Sequence, residues 1–176
     1  MKRNNKGFTL IELLAVIVIL AILVAIAIPS VTKYLNDARQ GSMENEAAEL
    51  VTAARTYIIA NNISKEGNFI FKTGSKQAYW APTVGDGATI DNVVQKNLVN
   101  SPYGNPYKVA YVAVGHDSNG ASTFTLNLSD DVYCLIGVDE SEIKGKIQTV
   151  ATDSNTKATK CGTKDMVKQP TIPDGK

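Results

Sequence analysis

The hydrophobic positions change their pattern twice along this chain. From Leu13 to Ile28 no residue is polar. From Val31 onward the apolar residues thin out: Val31, Tyr34, Leu35 and Ala38, then Met43, Ala47, Leu50, Val51, Ala54, Tyr57 and Ile58, recur at three- and four-residue steps. That is the period of a helix with one buried face. Past Asn61-Asn62 the helical period stops, and from Tyr107 onward the apolar residues fall in short blocks or in alternation, the pattern of strands.

The 21 residues from Phe8 to Ile28 rise about 31 Å as a helix and match the hydrocarbon thickness of a bilayer. Lys2, Arg3 and Lys6 form a positive flank that holds the adjoining end in the cytoplasm, which puts the rest of the chain outside. The Ile26-Ala27-Ile28-Pro29-Ser30 stretch is a poor match to an ordinary signal-peptidase site, so the apolar segment is expected to stay on the mature protein. Ala21 and Ala25 have the small-xxx-small spacing that lets a second helix approach, although a plain membrane anchor has it too. The helix is expected to continue to about Asn61. Pro29 removes a backbone donor and Gly41 weakens the helix by about 1 kcal/mol relative to Ala, which predicts one long helix bent near both.

Gly67, Gly74, Pro82, Gly85 and Gly87 then punctuate a turn-rich region, expected to be loop with one short strand at Phe69-Ile70-Phe71. Ile90, Val93, Val94 and Leu98 fall at helical spacing between Asp91 and Asn100 and predict a short helix. Ser101-Pro102-Tyr103-Gly104 reads as a turn, and Pro106 biases Asn105 toward extended geometry. Strands are expected over Tyr107–Val114, Thr123–Leu128 and Val132–Val138, the last two paired antiparallel across Ser129-Asp130-Asp131, with a further strand near 146–150. From Ala151 the chain is polar and loop-like, and 170–176 is a loose tail. The fold class is therefore α+β: a long N-terminal helix, part membrane stem (8–28) and part amphipathic continuation (29–61), packed on a small antiparallel sheet head (62–176). The ~116 residues beyond position 60 are enough for one globular domain.

Charge and chemistry narrow the function further. With 18 Lys+Arg against 17 Asp+Glu, there is no basic excess to neutralise phosphates, and nucleic-acid binding is not expected. Cys134 and Cys161 lack the nearby Cys or His that a zinc site needs; one disulfide, worth about 3 kcal/mol on the chain-entropy account, or two buried thiols are the open readings. The only histidine, His116, has Asp117 and Ser118 as immediate neighbours, too close along the chain for a catalytic triad. Asp117-Ser118-Asn119-Gly120 lacks the glutamate that would complete a calcium loop and reads as a surface turn. No phosphate-binding loop is present, and no catalytic residue, metal or cofactor is expected. Glu12 stands out, because a lone carboxylate in a spanning helix costs about 2.5 to 3.5 kcal/mol and calls for a partner. It also fits the first helical turn, where the dipole favours it by about 0.3 to 1 kcal/mol and Phe8 of its own chain is within reach.

Gly7-Phe8-Thr9-Leu10-Ile11-Glu12-Leu13, behind a short basic leader and ahead of an apolar helix, resembles the class III prepilin signal of type IV pilins, the type IVa class in particular. Type II secretion pseudopilins and competence pilins share it. The resemblance implies that residues 1–7 are a leader, that a prepilin peptidase cuts between Gly7 and Phe8, and that the new Phe8 amine is methylated. Removing Lys2, Arg3 and Lys6 leaves 15 basic residues against 17 acidic. It further implies that Glu12 pairs with the Phe8 amine of a neighbouring subunit and sets the register of a helical filament, and that Pro29 bends the stem. Ala21 stands where the family often has a glycine at which the stem unfolds. Pro102-Tyr103-Gly104-Asn105-Pro106-Tyr107 is similar to a segment at which such heads enter their sheet. Cys134 and Cys161 resemble the C-terminal disulfide loop, and Asp130-Asp131 with Asp139-Glu140 faintly resemble the irregular calcium sites of some pseudopilins. The implied function is a homo-oligomeric surface pilus subunit for adhesion, motility or colonisation, held in the cytoplasmic membrane before assembly and served by assembly machinery with a separate ATPase. The alternative is a type II secretion pseudopilin or a competence pilin.

Overall fold

A computed structural model describes residues 7–94, 97–130, 132–149 and 170. One helix, α1, spans Leu10–Ala60 and is unbroken through Pro29 and Gly41. The chain divides into two units within α1, the first ending at Ala38 and the second beginning at Arg39.

From Leu10 the first unit is helix, and all its described side chains are exposed. Pro29 has no N–H to offer the carbonyl one turn earlier. In the next turn the Thr32 hydroxyl donates to the Ile28 and Pro29 carbonyls at 2.9 and 3.0 Å.

In the second unit, Met43, Ala47, Leu50, Val51, Ala54 and Ile58 of α1 are buried, the residues at the three- and four-residue steps read from the sequence. The helix ends because Asn62 adopts a left-handed φ of 48°. The Ile63 N–H then bonds the Ile58 carbonyl at 3.0 Å and the Asn62 N–H bonds the Ile59 carbonyl at 3.2 Å. This is a Schellman ending with asparagine in the usual glycine position, and Ile63 packs back against the core.

Among the described residues seven antiparallel strands follow: β1 Gly67–Phe71, β2 Ala78–Pro82, β3 Ala88–Ile90, β4 Val109–His116, β5 Ser122–Ser129, β6 Tyr133–Asp139 and β7 Gln148–Thr149. Their order in the sheet is β3-β2-β1-β4-β5-β6-β7, with every neighbouring pair antiparallel. Phe69, Phe71, Trp80, Val112, Val114, Phe124, Leu126, Leu128 and Leu135 join the buried face of α1 in one core. Each such large side chain contributes about 1.5 to 3 kcal/mol by leaving water. Where β5 and β6 slip register beside Asn127, its buried side chain accepts the Gly137 N–H at 3.1 Å.

Two expectations are corrected. The region before residue 88 holds two full strands in place of one, and β1 lies inside the sheet between β2 and β4. Residues 90–98 are no helix among those described: Ile90 ends β3 opposite Ala78, and Asn92 has a φ of 54°. The Val93 and Leu98 N–H groups bond the Lys76 and Ser75 carbonyls, and the Leu98 carbonyl accepts the Gly74 N–H at 2.7 Å. The segment's backbone bonds go to the β1–β2 turn, while Val94 and Leu98 still reach the core. Helical spacing here reported burial and not helix. The expected strand near 146–150 is the two-residue β7.

Candidate functional site: the N-terminal helix start

The first turn of α1 is organised by Thr9 and Glu12. The Thr9 N–H and hydroxyl both donate to Glu12 Oε2, at 2.8 and 2.9 Å, and Thr9 Oγ1 accepts the Glu12 N–H at 3.3 Å. This reciprocal arrangement is a capping box, which satisfies helix-start donors that would otherwise lack partners. Its signature, Thr9-x-x-Glu12 before an apolar run, is present in the sequence and is the signal that points to Thr9. In the uncut chain Glu12 is thus held by Thr9, three residues back. A cut between Gly7 and Phe8 leaves both Thr9 groups in place, because the Thr9 amide is made with the Phe8 carbonyl.

Phe8 is 91% exposed and Leu10, Ile11 and Leu13 are more than 60% exposed. α1 is long and apolar enough in this part to cross a membrane, and none of that window is buried within the chain. Lys2, Arg3 and Lys6 lie outside the described residues.

Elsewhere several described polar side chains hold the head together. Asp130, 1% exposed, accepts the Val132 and Tyr133 N–H groups through Oδ1, and the Ser101 hydroxyl and Asn105 amide through Oδ2. It fixes the 101–106 turn to the β5–β6 connection, where Tyr103 stacks on Tyr133 at 3.6 Å; burial pushes the Tyr103 hydroxyl above its ordinary pKa. Asp139 Oδ1 accepts the Ser141 hydroxyl and N–H, which hold its carboxyl below the usual range. Asp131 lies outside the described residues. Among those described, no group of three or more His, Cys, Asp or Glu gathers to hold a metal. His116 Nδ1 stands 3.6 Å from Glu66 Oε1. Cys134 is buried in β6 and is not a free thiol; Cys161 lies outside the described residues.

Residues 139–145 are strapped to α1 by two contacts that the sequence did not reveal. Arg55 donates to the Glu140 carboxylate while its guanidinium sits 5.0 Å from the Phe124 ring centre. Glu44 Oε1 accepts the Gly145 N–H at 2.8 Å.

Residues 2–28 match the family described as the prokaryotic N-terminal methylation motif. The chain is 36% identical over 101 residues to the type IV major fimbrial protein FimA of Dichelobacter nodosus, covering 56% of this chain and 62% of that one. It is 33% identical over 80 residues to the type IV major pilin protein PilA of Myxococcus xanthus, covering 43% and 36%. Against the type II secretion system core protein G of Aeromonas hydrophila it is 31% identical over 111 residues, covering 61% of this chain and 74% of the relative. The chain spans less than two thirds of the length of the fimbrial relatives. No solved structure matches.

Proposed function

This chain belongs to the type IV pilin family, in which pseudopilins share the same N-terminal motif, and from that membership we propose that it is the structural subunit of a surface pilus. The reading rests on one observation: the matched methylation motif, residues 2–28, takes in the apolar first part of α1, which the chain itself does not bury.

In this reading the precursor is a single-pass membrane protein with its basic leader in the cytoplasm and its head outside. A prepilin peptidase cuts between Gly7 and Phe8, and the Phe8 amine is methylated. The cut removes the positive flank and creates a cation at the helix start. In the assembled filament the Phe8 amine of one subunit pairs with Glu12 of the next, so that neither charge stands alone among apolar stems. Phe8 to Ile28 then exchange lipid for like helices, with Pro29 setting a bend in the stem. Cys134 and Cys161 close the C-terminal loop as a disulfide outside the cell, where thiols oxidise. The protein works by association and not by catalysis, and it serves adhesion, motility or colonisation together with assembly machinery that supplies the energy.

The similarity to a type II secretion core protein over most of that relative's length supports a second reading, a pseudopilin of a secretion machine. Shearing intact cells separates the two. Filaments of the wild-type subunit released at native expression, beginning at a methylated Phe8 by mass spectrometry, support the pilus. A processed subunit that never leaves the envelope supports the pseudopilin, and a chain still carrying residues 1–7 overturns both.

A further inference from the structure

The turn between β4 and β5 holds the chain's single Asn-Gly pair, Asn119-Gly120, and both residues are exposed. Such a pair is chemically labile. The glycine backbone nitrogen loses its proton and attacks the asparagine Cγ; the new C–N bond forms as the C–N bond to the side-chain amide breaks, and ammonia leaves. Water then opens the cyclic imide at either carbonyl, giving aspartate or an isoaspartate whose main chain runs through the former side chain. No oxidant or second substrate is needed. Glycine favours the attack because it places no side chain against the incoming Cγ and lets the backbone rotate.

Here the backbone freedom the reaction needs is held by Asp117. The Gly120 N–H, which must be released, donates to the Asp117 carbonyl at 3.0 Å, and the Asp117 N–H donates to the Ala121 carbonyl at 2.9 Å. Asp117 Oδ1 accepts the Asn119 and Ala121 N–H groups, both at 2.8 Å, so the backbone on either side of the labile bond is pinned. Gly120 has a φ of 81°. Together these make a type I turn with Asp at its first position and a left-handed glycine at its fourth.

We propose that Asn119-Gly120 is a latent deamidation site held closed by Asp117. When the hold is lost, the hairpin tip acquires a negative charge beside Asp117, and the isoaspartate product adds a backbone atom next to the Gly115–Thr123 and His116–Ser122 pairs that end the β4–β5 ladder.

The full chain in detergent micelles is incubated at mildly alkaline pH beside a synthetic peptide of residues 116–122, and conversion at Asn119 is followed by fragment mass spectrometry. The wild type is expected to convert roughly tenfold or more slowly than the free peptide, the scale of a few modest hydrogen bonds. Asp117→Ala should approach the peptide's rate. Asp117→Asn, whose Oδ1 still accepts both N–H groups, should stay near the wild type. A wild-type chain that converts as fast as the peptide overturns the proposal, as does Asp117→Ala matching the wild type. The peptide comparison stands even where Asp117→Ala does not fold.

Discussion

The Tyr107 hydroxyl donates a 2.5 Å hydrogen bond to the Glu46 carboxylate, joining the chain just ahead of β4 to α1. Burial first, and then this bond, push the Tyr107 hydroxyl far above its ordinary pKa near 10. A raised folded pKa means that the neutral form stabilises the fold. That contribution is complete below pH ~10, the value of an unfolded tyrosine, and is lost as pH rises above it. Thermal melts in detergent should therefore show stability falling above pH ~10. Tyr107→Phe should flatten this alkaline limb and cost about 1 to 3 kcal/mol at neutral pH, because Glu46 loses this donor. A limb of unchanged steepness would contradict the assignment, although Tyr103 and Tyr111, also raised by burial, should leave a residual slope.

Gly67, at the start of β1, lies against β2 so closely that an added Cβ would meet the Ala81 carbonyl and the Pro82 Cα, both backbone atoms. Neither can step aside without moving the strand. Gly67→Ala should cost about 1 to 3 kcal/mol in a denaturant titration. Gly41→Ala, with open space around its Cβ position, should be neutral or stabilising by up to about 1 kcal/mol because it lies within α1.

The strap of residues 139–145 rests on partly exposed contacts. The Arg55–Glu140 pair is 43% and 32% exposed at its two side chains, so Glu140→Gln should cost no more than about 1 kcal/mol, with the effect shrinking at high salt. Asp139, held below its ordinary value of 3.8 by Ser141, favours the fold above pH ~3.8, and its contribution is lost as pH falls through the depressed folded value. The protection of the Ser141 amide, its exchange rate compared with an unstructured peptide at the same pH, should fall on acidification, and Asp139→Ala should remove that protection at every pH.

The helix was legible because its signals are local and repeated. The buried positions Met43 to Ile58 follow one period, and Asn61-Asn62 mark its end. β4 and β6 are legible as short apolar blocks and β5 as an alternation, and the turns between them announce themselves. β2 and β3 were not legible because Pro82, Gly85 and Gly87 look like punctuation, whereas β2 is held in the sheet by pairing to β1, a long-range effect. Val93 to Leu98 misled for a related reason: periodic burial arises wherever a segment touches a core twice, and Asn92 and the β1–β2 turn decide the backbone. At the site, Glu12 stands out as a carboxylate in an apolar helix, and the Thr9-x-x-Glu12 spacing carries the capping box that holds it. Arg55, Glu44 and Asp130 find partners far along the chain, which no local spacing encodes.

The central claim, that the Glu12 charge docks subunits in a filament, is tested most directly by Glu12→Gln. Glutamine keeps an oxygen for the Thr9 N–H and hydroxyl, so the capping box that starts α1 survives and only the charge is lost. Electron microscopy of cells labelled with antibody to the head, alongside mass spectrometry of the subunit, reads assembly and processing together. The account predicts labelled filaments on wild-type cells, and for Glu12→Gln a subunit that is cut before Phe8, stays in the membrane and forms no filaments. Normal filaments built from Glu12→Gln subunits would contradict it.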